Sequence, residues 1–192
     1  MRMLCHFSYQ DPPPKREKTT PMGLVMAGAE AADISCPFDQ CSADLIHISP
    51  FFCLQSCKYT KTNLHRQTFQ FRLMDLQFHD ADRFILHDAP SKTFICAQAV
   101  TLFLYTQNNT VQGESTTMEA TDLSHSDLVS AAAWRFLHLC SHQADPDTTI
   151  YSYFLNKGAL HKSVTSTHII SLFRLHATNI GFRRLGLYPH DI

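Results

Sequence analysis

The chain has 192 residues, which is the size of a single domain. Apolar residues make up 44% of the sequence and charged residues 17%, a balance that excludes a disordered chain and predicts a globular protein. The formal net charge of −1 argues against a polyanion-binding surface that covers the whole molecule. No apolar stretch approaches the roughly 20 residues of a membrane-spanning helix, and we expect a nuclear or cytoplasmic protein that is not secreted and does not bind a membrane.

A proline-rich and charged stretch, DPPPKREKTTP, lies at residues 11–21. Successive prolines block helical hydrogen bonds. Residues 1–21 are therefore predicted to form an extended linker or arm, and residues 22–192 a folded domain. Within that domain the small apolar residues at 22–32 predict a short helix. The apolar spacing at 42–54 predicts a buried helix, which Pro50 should kink or delay.

The middle of the chain has the composition of a small antiparallel sheet, because runs of β-branched and aromatic residues alternate with Asp, Gln, Asn and Gly. Strands are predicted at residues 69–78, 95–106 and 115–119. The last two are joined by a polar connection at 107–113. A further short β-prone run lies at residues 149–154.

Two more helices are predicted in the C-terminal part. Apolar side chains recur at helical spacing over residues 126–140, with Ser126 as the N-cap and Asp127 beside the positive end of the helix. Thr165 is the predicted cap of a second helix, which should end at Gly181. The predicted fold class is therefore α+β, with helices packed around a small antiparallel sheet.

Charge is divided unevenly between two neighbouring segments. Residues 111–149 contain six acids and one base, whereas residues 150–190 contain five bases, no acid and four histidines. The second segment is the one basic region that can support a nucleic-acid hypothesis. The alternative interpretation is a solvated helix face that is balanced by the acidic segment before it.

Seven cysteines and twelve histidines would suit a metal site, because thiolate and imidazole are ligands of soft divalent ions. The candidate pairs do not have the spacing of a two-pair zinc module: Cys36 and Cys41, Cys53 and Cys57, and His138 and His142. We expect reduced thiols, no metal and no cofactor. The sequence also lacks the Gly-x-Ser-x-Gly turn of a hydrolase and a glycine-rich phosphate loop, so no small-molecule substrate is predicted.

Four segments follow the proline-rich linker in a fixed order. They are FFCLQSCKYTK at residues 51–61, LYTQNN at 104–109, VTS at 164–166 and LGLYPHDI at 185–192. In this order they resemble the catalytic domain of a tyrosine recombinase, of the integrase-like kind carried by mobile elements. The resemblance covers residues 11–192 and implies an ancestral role in DNA recombination and DNA integration.

The resemblance also implies a chemistry. In the family a tyrosine attacks a DNA phosphodiester, two arginines bind its oxygens, and a lysine protonates the departing sugar oxygen. This chain has Gln55 at the first arginine position and Asn108 at the lysine position, and neither neutral amide supplies the charge or the proton. The family's His-x-x-Arg box and its tyrosine would follow Ile192. The resemblance therefore implies a partial catalytic domain without its C-terminal part, inactive as this chain.

Weak, nonspecific DNA binding is the function that such a remnant is expected to keep. The candidate phosphate ligands are Lys61, Arg66, Lys157, Lys162, Thr165, Ser166, Arg174, Arg183 and Arg184. One alternative is a protein-interaction or structural module that does not bind DNA. Another is an active strand-transfer enzyme that takes its missing residues from a partner chain. The sequence does not indicate an oligomeric state.

Overall fold

The structure is a computed structural model that describes residues 32–33, 35–51, 61, 70–81, 83–104, 113–121, 127–155 and 161–179. Its elements, in chain order, are α1 (Pro37–Phe51), a 3-10 turn (Leu73–Asp75), β1 (Leu76–Asp80), β2 (Arg83–Phe84), α2 (Ser91–Ile95), β3 (Ala99–Leu104), β4 (Glu114–Glu119), α3 (Leu128–Ser141), β5 (Ser152–Phe154), β6 (His161–Ser163) and α4 (Ser166–Asn179). The α+β prediction is confirmed. The linker at 1–21 lies outside the described residues, as does nearly all of the short helix at 22–32.

Four antiparallel strands form the main sheet in the order β2-β1-β3-β4. The longest pairing joins β3 to β4, from Ala99 opposite Glu119 to Leu104 opposite Glu114, which confirms the predicted small antiparallel sheet. Strands β5 and β6 form a separate antiparallel pair. No helix in the described ranges is long and apolar enough to cross a membrane.

The first predicted strand, at residues 69–78, is wrong in its first part, because β1 begins only at Leu76. Before it, Leu73 N–H donates to the carbonyl of Thr148 at 2.8 Å, and Met74 N–H donates to that of Pro146 at 3.0 Å. The Asp75 carboxylate also accepts a bond from the Arg72 N–H at 2.8 Å. A tertiary contact and a local turn thus use the donors that an extended strand would have used.

The second predicted strand, at residues 95–106, also begins too early. Residues Ser91–Ile95 form helix α2, and the strand starts at Ala99. Phe94 is the buried residue of this short helix. A single helical turn is enough to place its ring in the core, and an extended chain is not needed until the pairing with β1 begins.

Helix α1 spans Pro37–Phe51 rather than residues 42–54. Pro37 is the first helical residue, a position where its missing N–H costs no hydrogen bond. The predicted late start at Pro50 is wrong, because the helix begins at Pro37 and this proline lies in its last turn; the predicted kink stays a prediction. Its missing N–H would have bonded to the Ile46 carbonyl, which accepts a bond from the Ser49 hydroxyl at 3.4 Å instead.

The core lies between α1, α3 and one face of the main sheet. Its centre is an aromatic cluster in which the rings of Phe78, Phe94 and Phe136 lie 4.8 to 5.5 Å apart between centroids. These rings come from β1, α2 and α3, so the cluster joins the sheet to both helices. Each such pair adds about 0.5–1.5 kcal/mol beyond the area that it buries.

The N-cap of α3 is Asp127 and not the predicted Ser126. The Asp127 carboxylate accepts bonds from the N–H groups of Val129 and Ser130, both at 3.1 Å. A carboxylate at this position satisfies two donors of the first turn and also lies at the positive end of the helix dipole.

Replacing Asp127 with alanine should lower the free energy of unfolding by about 1 kcal/mol, because two N–H groups lose their acceptor. Urea unfolding followed by circular dichroism measures this loss. The matched control is Asp88→Ala, which removes an exposed carboxylate outside any helix cap and should change stability by less than about 0.5 kcal/mol. Equal effects of the two substitutions would show that the cap does not stabilise α3.

Candidate nucleic-acid interface

Lys61 lies at the start of α4, although the two are far apart in the sequence. Its backbone N–H donates to the Val164 carbonyl at 2.9 Å, and Lys61 and Thr165 form a parallel bridge. Two of the predicted phosphate ligands, from separate segments, are therefore neighbours. The Lys61 side chain is exposed.

Thr165 caps α4, as predicted. Its hydroxyl accepts a bond from the His168 N–H at 3.3 Å, and the Thr165 N–H donates to His168 Nδ1 at 3.2 Å. In this reciprocal arrangement His168 takes the place of the usual Glu or Gln of a capping box. The N–H groups of Ser166 and Thr167 have no acceptor within the helix, as in any first turn, and they lie at the positive end of the helix dipole.

The start of α4 is anchored to the rest of the molecule through His168. The ring of His168 meets the ring of Phe38 edge-on, with 5.1 Å between centroids, and Phe38 meets Tyr153 at 5.6 Å. The next residue along α4, Ile169, is buried. Helix α1 and strand β5 thus hold the capped end in a fixed position.

Two further bases lie on either side of this end. Lys162 is exposed on β6, opposite Tyr153 and two residues before Val164. Arg174 is exposed on α4 and lies about 12 Å beyond Ser166 along the helix axis. Both ion pairs within the described ranges belong to Arg72, so neither involves these bases or Lys61.

We call Lys61, Lys162, Thr165, Ser166 and Arg174 the basic face. The other predicted phosphate ligands lie outside the described residues: Arg66, Lys157, Arg183 and Arg184. The two positions at which the resemblance implies lost catalytic groups, Gln55 and Asn108, lie outside them as well.

A second group of polar side chains, which the sequence analysis did not identify, is buried between α1, α3 and β5. Arg135 is 0% exposed and Asp44 is 4% exposed. Arg135 Nη2 donates to the Ser152 carbonyl, and Gln40 Nε2 donates to Asp44 Oδ1 at 2.7 Å. The remaining polar atoms, Arg135 Nε and Nη1 and Asp44 Oδ2, have no hydrogen-bond partner. The sequence does contain one sign that Arg135 is buried. It lies four residues after Ala131 and four before Leu139, which places it on the apolar stripe of α3.

Burial changes the protonation of the groups around Arg135. It raises the pKa of Asp44 to about 7, although the Arg135 charge and the Gln40 hydrogen bond act in the opposite direction. Burial also raises the pKa of Cys41 to about 12, against the opposing charge of Arg135. Cys41 is therefore a neutral thiol at physiological pH. The group contains a carboxyl that can exchange a proton, but Cys41 is not an activated nucleophile.

His138 lies one turn beyond Arg135 on α3. Burial lowers its pKa to about 4, and the charges of Arg135 and His142 act in the same direction. His138 Nε2 accepts a bond from the Phe154 N–H at 3.2 Å, and its ring lies 4.9 Å from that of His142. Within the described ranges, no cluster of three or more His, Cys, Asp or Glu side chains could hold a metal ion.

Acid should destabilise the protein through His138. Because its pKa is lower in the folded chain than in the unfolded one, its contribution to stability is complete above about pH 6.5 and is lost as the pH falls towards 4. In His138→Gln the amide oxygen still accepts from Phe154 but does not titrate. Urea unfolding at pH 7, 5.5 and 4.5 should show the wild type losing stability relative to this variant. If the free energy of unfolding has the same pH dependence in the wild type and in the variant, His138 is not the cause of the acid destabilisation.

Comparison with protein-family models, with curated proteins and with solved structures gives no match to this chain. The resemblance to tyrosine recombinases therefore depends on the sequence motifs alone. What the chain does has to be inferred from its own residues.

Proposed function

We propose that this chain is a non-catalytic remnant of a mobile-element tyrosine recombinase, and that it keeps weak, nonspecific affinity for duplex DNA. The observation that carries the proposal is the pairing of Lys61 with Thr165 at the capped start of α4, three residues after the exposed Lys162. DNA phosphates are the ligand class that fits two exposed ammonium groups beside the N–H groups of a helix start.

The electrostatics of this part of the chain support an anionic partner. Residues 150–190 carry five bases and no acid, although the whole chain has a net charge of −1. A local excess of this kind attracts a polyanion without making the entire surface basic. Contacts to phosphate carry no sequence information, so the binding is nonspecific.

The size of the basic face accounts for the weakness of the binding. The roughly 12 Å between Ser166 and Arg174 spans only three to four nucleotides of one strand of B-DNA, at about 3.4 Å each. Its three bases, Lys61, Lys162 and Arg174, would release about three counterions. The logarithm of the binding constant should then fall with a slope near −3 against the logarithm of the salt concentration.

Loss of catalysis follows from the amides at the two positions that the resemblance assigns to charged groups. Gln55 cannot form the charged, bidentate contact of an arginine, and Asn108 cannot deliver a proton to the leaving oxygen. Removing one stabilising donor from an active site typically lowers the rate by about 10²–10³. Two such losses make turnover by this chain negligible.

Salt titration of DNA binding tests the proposal. The fluorescence anisotropy of a labelled duplex, measured from about 20 to 200 mM salt, should give a slope near −3 for the wild type. Lys61→Gln and Lys162→Gln should each make the slope shallower by about one and weaken binding to all sequences alike. Lys92→Gln is the matched control, because Lys92 is exposed on α2 outside the basic face.

The possible results separate the two functions. If the wild type does not bind duplex DNA at the lowest salt, the DNA proposal is wrong and a structural or protein-interaction module is left. If Lys92→Gln weakens binding as much as Lys61→Gln does, the DNA is held by general surface charge and not by the basic face. A suicide DNA substrate should give no covalent adduct, and an adduct would show that the chain is an active enzyme.

A further inference from the structure

The buried group around Arg135 has a feature that its packing role does not account for. A buried guanidinium and a buried carboxyl on facing helices are normally expected to form a direct ion pair, because each alone is costly to remove from water. Asp44 on α1 and Arg135 on α3 act on each other electrostatically but are not an ion pair. Each has polar atoms without a partner.

The unpartnered atoms are chemically complementary. Arg135 has two nitrogen atoms without a partner, Nε and Nη1, which are donors, whereas Asp44 has one such oxygen, Oδ2, which is an acceptor in the carboxylate. The bond from Arg135 to the Ser152 carbonyl comes from Nη2 and does not use these nitrogens. The contact between α1 and α3 therefore contains a carboxyl whose charge is not fixed by a direct partner.

We propose that Asp44 is a proton-dependent contact that controls how firmly α1 packs on α3 and β5. As the neutral acid, Asp44 is buried without the cost of a carboxylate. Once it loses its proton, an incompletely paired charge lies between the helices, and states in which α1 has moved away become more populated. This inference does not depend on the DNA proposal.

The charged and titratable neighbours come from each element packed against α1. The described ones are Asp39, Cys41 and His47 on α1 itself, Arg135, His138 and Cys140 on α3, Tyr153 on β5, and His168 and Arg174 on α4. Arg135 is the one charge among them that acts on Asp44. It favours the carboxylate, whereas the loss of hydration favours the neutral acid.

The direction of the pH effect follows from linkage. Burial raises the pKa of Asp44 from an ordinary 3.8 to about 7, so the packed state binds a proton that the open state releases. Opening should become more favourable as the pH rises from about 4 to about 7, and should be constant above that. His138 has the opposite dependence between about pH 6.5 and 4, so the two effects have to be separated by a variant.

Cys41 is a built-in reporter of this opening. It is fully buried and lies one turn before Asp44 on α1, so a thiol reagent reaches it only when α1 leaves its partners. Its rate of labelling in the full chain, read by peptide mass spectrometry, is divided by the rate in unfolded chain at the same pH. The quotient gives the opening equilibrium without the pH dependence of the reagent.

The test compares the wild type with Asp44→Asn at pH 5, 6, 7 and 8. Since both contain His138, its contribution cancels in the ratio of their opening equilibria. The opening equilibrium constant of the wild type, divided by that of Asp44→Asn, should rise by about tenfold or more between pH 5 and 7 and then stay level. Asp39→Asn, the same change earlier on α1, is the matched control and should follow the wild type. A ratio that does not change with pH would overturn the proposal.

If Asp44→Asn does not fold, the wild type alone decides. Carbon-13 NMR of the Asp44 side-chain carboxyl in the folded protein reports its protonation directly. A midpoint near pH 7 supports the proposal, and a midpoint near the ordinary value of a carboxyl refutes it.

Discussion

The helical part of the structure depends on the guanidinium of Arg135. Removing an arginine from water is costly, and its charge persists at every accessible pH, so the surrounding residues must adapt to it. Its bond to the Ser152 carbonyl connects α3 to β5. Its charge acts on Asp44, Cys41 and His138. One side chain thus connects α3 to β5 and acts on all three titratable groups, although burial is the larger cause of each pKa shift.

The elements that could be predicted from the sequence are those that are determined by residues close to them in the chain. Helix α3 and the β3–β4 hairpin were predicted because their apolar spacing and polar connection are local signals. Helix α2 and the 3-10 turn were missed because both depend on distant contacts. Phe94 needs only one turn to reach Phe78 and Phe136, and the donors before β1 bind the loop at residues 146–148.

In the candidate site, too, the local features could be predicted from the sequence and the distant contacts could not. Thr165 was recognised as a cap because capping is a local property of a Ser or Thr before an apolar helix. The sequence named Lys61 as a phosphate ligand, but it could not show that Lys61 pairs with Thr165, since that bridge joins segments far apart in the chain. The buried Asp44 was missed for a related reason. Its environment comes from Arg135 on another helix, which no spacing within α1 reveals.

The position of α1 in the chain has a consequence for biosynthesis. Its partners, α3, β5 and α4, come after the whole main sheet, whose strands pair only with near neighbours. The sheet can therefore form early, whereas α1 must wait for roughly a hundred further residues, or about 5–20 seconds of translation. During that interval Leu45, Ile46 and Ile48 have no native partners on those elements. The nascent chain thus exposes the apolar side chains of α1 until α3, β5 and α4 have been synthesised, and exposed apolar surface of this kind favours aggregation.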